Sequence, residues 1–345
     1  MSSDLAMAVK ARAMFGARFK EKDYISLAEK KSIPEIASAL KHDRRFATTL
    51  EGINEKGIHR GQLEALIRMD IFTRLKKLSR YSGPEDRKFI YLAVMGVETQ
   101  LILNCIRWFM QEDDEARSSM IASMPIYIEQ YMSFDVRKLS DVTSFDELLE
   151  VLKGTRYEKI IRRYRADTFE EIDYVGLEHS LKVSYYEEIL TLVESVDKGN
   201  AQEQMKTITL ARIELDNIAI IYRLKKYFHE KPEHIHSLMT RHSCLFKPNE
   251  IRNMIDNCTA EEVIEKLQKR YHRYTANVQF TDIEHYIGTI RFNMNAHFME
   301  YYTEPSLVLI SYLLLSATEI QNLINIIEGV RYGVSIDRIK ALLIY

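Results

Sequence analysis

The sequence predicts an all-α protein built from three similar helical bundles. Two observations lead to this prediction: a helix-start motif that recurs three times, and a low content of residues that interrupt helices. The 345 residues include 12 Gly and 6 Pro, whereas these two residues together make up roughly 12% of average proteins. Because Gly and Pro are the residues that break helices, long helices can form along most of the chain.

Each copy opens with a capping box, in which a Ser or Thr is followed three residues later by a Glu. The hydroxyl can accept from the third helical N–H, and the Glu can reach back to the N–H of the cap residue itself. Apolar residues at the fourth, fifth and eighth positions after the cap predict one buried helix face, and an aromatic residue (Phe46, Tyr157 or Tyr271) follows. The boxes are Ser32 with Glu35, Ser144 with Glu147, and Thr259 with Glu262.

Each copy closes with an apolar helix that carries a Glu 60 to 70 residues after the box. In the second and third copies an Asn lies three residues further on, hence on the same helix face, whereas the first copy has Leu101 there. An unpaired polar group among Ile and Leu costs roughly 1–3 kcal/mol, so these side chains need partners, either neighbouring backbone or an ion or ligand. Repetition in every copy favours an architectural role. The residues are Glu98, Glu214 with Asn217, and Glu319 with Asn322.

No Gly/Ser linker or low-complexity tract divides the chain, so independent flexible domains are not expected. The closing glutamates are 116 and 105 residues apart, much more than the 33 to 47 residues of common helical solenoids. Each copy should therefore hold several helices. We expect bundles over residues 1–125, including the N-terminal helix, 126–245 and 246–345.

Charge and cysteine content exclude several classes of protein. Lys and Arg number 48 and Asp and Glu 50, which gives a net charge of −2 and argues against nucleic acid as the main partner. Three cysteines in a long chain indicate free thiols in a reducing cytosol. No signal peptide is evident, and the longest apolar run, residues 307–317, is shorter than the roughly 20 residues that span a bilayer. A cytoplasmic protein, able to sit on a membrane complex, is the expectation.

The residues do not predict an enzyme or a metalloprotein. A cluster of His and Cys invites a zinc hypothesis, but its spacing matches no compact ligand pairs. Phosphate-binding loops, dinucleotide fingerprints, nucleophile elbows and zinc-protease motifs are all missing from the sequence. We therefore expect no cofactor, no metal and no catalytic residue. The cluster comprises His234, His236, His242, Cys244 and Cys258.

Two basic stretches follow the second and third boxes at equivalent places. One interpretation is a solvated helix face with neighbouring Glu residues. The other is a docking surface for an acidic protein partner or for lipid headgroups. The candidates for such a rim are Arg162, Arg163, Arg270 and Arg273.

Three segments carry a resemblance to a known family: residues 11–24 at the start, residues 214–225 around Glu214, and residues 319–328 around Glu319. They resemble the C-subunit family of V/A-type ATPases, whose eukaryotic counterpart is called the d subunit. The similarity extends over essentially the whole chain, including its threefold repetition.

The resemblance implies a funnel-shaped, non-catalytic rotor subunit of an ATPase that transports ions or makes ATP. Such a protein caps the cytoplasmic face of the membrane proteolipid ring and receives the central axle, which is made of the D and F subunits. It would be peripheral to the membrane, with no transmembrane segment of its own. Two other hypotheses stay open: a free-standing helical scaffold for soluble partners, and an enzyme with a site near the His-rich segment.

Overall fold

The structure, a computed structural model, describes residues 3–81, 84–111, 131–196, 198–275 and 278–345. Within these ranges it contains helices, turns and irregular segments, and no strand. The all-α prediction is confirmed. The boundary expected between residues 125 and 126 lies outside the described residues.

One compact unit comprises the chain up to Tyr185 together with Glu319–Leu343 and Tyr345. It holds the first seven helices, the start of α8 and the C-terminal helices: α1 (Ser3–Gly16), α2 (Glu21–Ala28), α3 (Ile33–His42), α4 (Arg60–Ser79), α5 (Pro84–Gln111), α6 (Phe145–Val151), α7 (Arg156–Ile161) and α8 (Tyr174–Glu194).

The other compact unit comprises Tyr186–Thr318 and Ile344. Its helices, with the two C-terminal ones that complete the chain, are α9 (Asn200–Arg223), α10 (Pro232–Ser237), α11 (Pro248–Asp256), α12 (Ala260–Tyr271), α13 (Ile283–Tyr301), α14 (Pro305–Arg331) and α15 (Ile336–Lys340). Helix α9 packs against α12 and α13. Their shared core is apolar and includes Leu215, Ile218, Leu267, Tyr286 and Ile290.

The helix faces expected after the three boxes are buried. All nine apolar side chains at the fourth, fifth and eighth positions after a cap are at most 8% exposed. Their spacing gives one face of a helix, and that face is the one turned to the core. The residues are Ile36, Ala37, Leu40, Leu148, Leu149, Leu152, Val263, Ile264 and Leu267.

The caps form, with one difference from the expected geometry. Each cap hydroxyl accepts from the N–H of the Glu three residues on, at 3.4 Å for Ser32, 3.3 Å for Ser144 and 3.2 Å for Thr259. Of the three boxes, that of Thr259 also has the return bond, from its N–H to the Glu262 carboxylate at 2.7 Å.

In the first two boxes the expected return bond to the cap N–H was wrong. The Glu carboxylate instead accepts from the N–H of the residue before the cap, Lys31 at 3.1 Å and Thr143 at 2.7 Å. The cap φ is −155° and −139° in these boxes and −72° at Thr259. The more extended backbone turns the cap N–H away from the Glu, so the preceding amide takes its place.

Among the described residues, α14 is the one helix long and apolar enough to cross a membrane, with a mean hydropathy of 1.6 in its most apolar window. The run of residues 307–317 is too short by itself, but the helix continues through further apolar residues. Of that window, 72% is buried inside the protein. Burial of this extent is what a core helix shows, so packing within the protein accounts for the apolar character of α14.

A glycine near the end of α14 allows α15 to approach closely. A Cβ placed on Gly329 would lie 2.5 Å from Cγ1 and 2.6 Å from Cδ1 of Ile339. Ile339 is fully buried, so its side chain has little room to move aside. The missing side chain of Gly329 is therefore a condition for the docking of α15.

We expect Gly329→Ala to destabilise the protein by about 1–3 kcal/mol, because the added methyl overlaps a buried side chain. The matched control is Gly61→Ala in α4, where a Cβ meets no described heavy atom within 4 Å. That control should be neutral or should stabilise by up to about 1 kcal/mol, since Ala favours the helix over Gly. Denaturant unfolding of both variants measures the difference, and equal stabilisation by both would contradict the close contact.

Candidate functional site

A buried carboxylate on the closing helix recurs in all three copies and is the most distinctive polar feature of the described structure. Glu98 and Glu214 are fully buried and Glu319 is 6% exposed. Each accepts hydrogen bonds from a loop N–H and from a second donor that reaches it from a different segment. We call this arrangement the carboxylate joint.

The joint of the second copy has four donors. The N–H groups of Cys244 and Phe246 donate to Oε2 of Glu214 at 2.7 and 2.9 Å. The Leu245 N–H and the Tyr271 hydroxyl donate to Oε1 at 3.2 and 2.6 Å. Hydrogen bonds to an ionised group are stronger than neutral ones, so this carboxylate ties the loop before α11 and the end of α12 to α9.

The joint of the first copy has the same composition with fewer donors. The Ser133 N–H donates to Oε1 of Glu98, and the Tyr157 hydroxyl donates to Oε2 at 2.9 Å. Tyr157 is 2% exposed. A loop and a short helix are thus again held to a closing helix, here α5.

The joint of the third copy replaces the tyrosine by an arginine. The Phe19 N–H donates to Oε2 of Glu319 at 3.0 Å, and Arg74 donates to Oε1 at 2.5 Å. The aromatic residue at this place is Phe46, which has no hydroxyl to offer. Arg74 lies over the Phe46 ring at 5.6 Å and also pairs with the buried Asp70 at 2.6 Å. A guanidinium therefore fills the position that a phenol fills in the other two copies.

The carboxylates keep the facing phenols and one thiol in their neutral form. Burial and the nearby Glu214 raise the pKa of Tyr271 far above its ordinary value, and burial and Glu98 do the same to the pKa of Tyr157. Burial, followed by the charge of Glu214, raises the pKa of the Cys244 thiol to about 12. At neutral pH the tyrosines are therefore protonated and act as donors, while Cys244 is a poor nucleophile.

The partners in each joint belong to the next copy along the chain. The donating loop residues lie 11 to 15 positions before the box of the following copy: Ser133 before Ser144, and Cys244 to Phe246 before Thr259. The third carboxylate returns to the first copy, since Phe19 lies 13 residues before Ser32. The three copies are thus linked in cyclic order, and the C-terminal helix α14 holds the N-terminal segment.

An arginine beside the aromatic residue completes the joint of Glu214. Arg270 lies over the Phe246 ring at 4.5 Å, pairs with Glu250 at 2.5 Å and donates to the Leu245 carbonyl. Glu250 in turn accepts from the Lys247 N–H at the start of α11. The side chain expected at a docking rim is therefore occupied within its own joint.

Arg45 makes the equivalent contacts in the first copy. It lies over the Phe19 ring at 3.5 Å and pairs with Asp23 at 3.1 Å. In the second copy the matching Arg156 contacts the Met95 sulfur instead. Sequence reasoning missed this feature, although the shared spacing of Phe-Lys-x-x-Asp/Glu at residues 19–23 and 246–250 was a signal for it.

The three other arginines of the expected rim are exposed. Arg162 pairs with Glu158 one turn earlier at 2.8 Å. Arg163 lines an open cavity of about 350 Å³ beside α8. Arg273 lies near the Tyr274 ring at 6.0 Å. They are accessible, and Arg162 and Arg163 lie in one compact unit while Arg273 lies in the other.

The asparagines of the repeat signature find partners within the protein. Asn217, 3% exposed, donates to the Thr240 carbonyl at 2.7 Å and accepts from the Thr240 N–H at 3.1 Å. Asn322, 2% exposed, forms a side-chain hydrogen bond with Tyr24. Both groups act between segments of the fold, as does the carboxylate on the same helix.

The His-rich segment divides into separate pairs. His236 contacts Asp256 at 2.8 Å, His242 contacts Glu187 at 3.1 Å, and the Cys244 thiol points to a backbone carbonyl. Among the described residues, no three His, Cys, Asp or Glu side chains are placed to hold a metal ion. A neighbouring cleft of about 520 Å³ between α11 and α12 is lined by Phe246, Asn249, Glu250, Asn253, Met254, Lys266, Lys269 and Arg270.

Replacement of Glu214 by Gln should destabilise the protein by about 2–3 kcal/mol, because the amide NH₂ would face N–H donors that then lack an acceptor. Tyr271→Phe removes a single donor and should cost about 1–2 kcal/mol. Glu265→Gln on the exposed side of α12 is the matched control and should stay within about 0.5 kcal/mol. Denaturant melts compare the three, and a neutral Glu214→Gln would refute the importance of the joint.

The two arginines of the third basic stretch should respond differently to truncation. Arg270→Ala loses an ion pair, a ring contact and a backbone hydrogen bond, so we expect a loss of about 1–3 kcal/mol. Arg273→Ala removes an exposed side chain and should change the free energy of unfolding by less than about 0.5 kcal/mol. Thermal or denaturant unfolding of the pair decides, and equal effects would show that Arg270 is not held in the joint.

Comparison with known proteins agrees with the resemblance seen in the sequence. The family model described as ATP synthase (C/AC39) subunit matches residues 7–342. The C subunit of the A-type ATP synthase of Methanosphaera stadtmanae is 24% identical over 222 residues, which are 63% of this chain and 53% of that protein. The chain thus spans about half the length of this curated relative. The resemblance to the C-subunit family of V/A-type ATPases is confirmed, and the chain belongs to the ATP synthase (C/AC39) subunit family.

Proposed function

We propose that this chain is a non-catalytic rotor subunit of a V/A-type ATPase that couples the central axle to the membrane proteolipid ring. Its partners would be the D and F subunits of the axle and the cytoplasmic face of the ring. The chain would be peripheral to the membrane and would serve ion transport or ATP synthesis. The observation that carries this proposal is the family match over residues 7–342.

The carboxylate joints support a mechanical role. A coupling protein has to transmit torque without yielding, so segments far apart in the chain must be held together firmly. Each joint does this with hydrogen bonds to a buried carboxylate, and removal of a partner from such a group is costly. The joints suit stiffness because they leave the carboxylates no accessible face for a substrate.

Three bundles over residues 1–125, 126–245 and 246–345, arranged as a funnel around the axle tip, are part of this proposal. The cyclic order of the joints supports three equivalent copies. The exposed Arg162, Arg163 and Arg273 are the remaining candidates for a docking rim, since Arg270 is engaged in its own joint. Exposed rim charges would act mainly on association rate and salt sensitivity.

Deletion of the protein should uncouple the motor. ATP hydrolysis should continue or rise, whereas ATP-driven ion pumping should fall to background, because a lasting rotor interface, which tends to bury more than about 2,000 Å², would be lost. Both activities are measured in membranes from the deletion strain, and re-expression of the intact chain is the control.

Normal pumping without the chain would refute the rotor proposal. The alternative would then be a free-standing helical scaffold for soluble partners, and the chain should be found apart from the ATPase after mild detergent extraction. Stoichiometric presence in the purified ATPase together with loss of pumping supports the rotor proposal.

A further inference from the structure

The closing helix of the second copy ends in an unusual way. After α9 the backbone winds as a π-helix over Leu224–Phe228, and it stops at His229 with φ 51° and ψ 39°. The Glu230 N–H donates to the Leu224 carbonyl at 3.1 Å across this turn. A left-handed conformation is unfavourable for a residue with a Cβ, and π turns are frequent at functional sites. We call residues 224–231 the aromatic turn.

The aromatic turn presents two adjacent rings to solvent. Tyr227 is 61% exposed and Phe228 is 66% exposed. The Tyr227 ring meets the buried Tyr222 edge-on, with centroids 6.1 Å apart, so its orientation is fixed before any partner binds. Nothing in the core benefits from this conformation, because none of the five π-helical residues is buried.

The charges around the rings are mostly positive. Lys225 and Lys231 form no ion pair with any described residue, whereas Lys226 pairs with Glu261 at 2.5 Å. The one acidic residue of the turn, Glu230, contacts His234 at 3.0 Å. The complementary surface would therefore be acidic at its edge and apolar at its centre.

The third copy has a related feature at the same offset. Tyr332 follows the joint carboxylate by 13 residues, as Tyr227 does, and it is 68% exposed. Arg331 lies over its ring at 5.2 Å, and the left-handed residue after it is Gly333 with φ 62°. Gly adopts this conformation without strain, so a closing helix can end here without the strain that His229 carries.

We propose that the aromatic turn docks on an acidic surface of another subunit of the ATPase, with Tyr227 and Phe228 at the centre and Lys225 and Lys231 at the rim. This inference rests on the proposed function. Aromatic side chains surrounded by polar groups are the usual centres of protein interfaces. Two rings and two lysines are too small an anchor for a bilayer, where stable attachment takes stronger signals.

The test uses the assembled ATPase with a double variant, Tyr227→Ala with Phe228→Ala. Retention of the chain in the complex is measured on native gels over a salt series. We expect binding to weaken by about tenfold or more, with an unchanged melting temperature of the free chain because both side chains are exposed. The matched control is Tyr301→Ala: Tyr301 is 71% exposed but is flanked by Glu300 and Glu304, which an acidic partner would repel.

A photo-reactive phenylalanine analogue at position 228 identifies what covers the turn. Cross-links to acidic segments of another ATPase subunit support the proposal, whereas cross-links to lipid alone, or a double variant that assembles as wild type, overturn it. Absence of the wild-type chain itself from the ATPase would overturn the proposed function and this inference together. Lys225→Glu should also slow association and reduce its dependence on salt, and an unchanged rate would contradict the rim assignment.

Discussion

A carboxylate in an apolar interior has to have its oxygens occupied by donors, since an uncompensated charge there is far too costly to keep. Three closing helices of this protein carry such a group, and most of the tertiary arrangement around them follows from that requirement. A helix cannot supply the donors itself, because its own N–H groups already bond within the helix. The donors have to come from loops and side chains elsewhere in the chain, and those segments are thereby fixed in place.

The same requirement explains how the copies differ. With a tyrosine after the box, one phenol and the loop amides are sufficient, as at Glu214. With Phe46 in that place the donor is lost, and Arg74 brings a full positive charge instead. That charge needs its own environment, which the buried Asp70 supplies at 2.6 Å. One missing hydroxyl is thus accompanied by a new buried ion pair, and the joint keeps its role while its chemistry changes.

Periodicity in the sequence was enough to predict the helices, their buried faces and the burial of the repeated glutamates. It was not enough to predict their partners, because a helix pattern indicates which face is buried and not which donor reaches it. Phe19 and Glu319 are 300 residues apart, and only the fold brings them together. The cap geometry depended on backbone φ at single residues, and the engagement of Arg270 depended on a phenylalanine 24 positions earlier. Both are three-dimensional properties that residue type leaves open.

The return of the third joint to the start of the chain has a consequence for biosynthesis. As the protein leaves the ribosome, the donors for Glu98 and Glu214 follow within about 60 residues, so these two joints can close while translation continues. The Phe19 amide and the Arg74 guanidinium wait until residue 319 has been made, with a large loop-closure entropy to overcome. A prematurely terminated chain leaves a buried-type Asp–Arg pair without its third member. Incomplete molecules are therefore marked by an open N-terminal segment that proteases and chaperones can recognise.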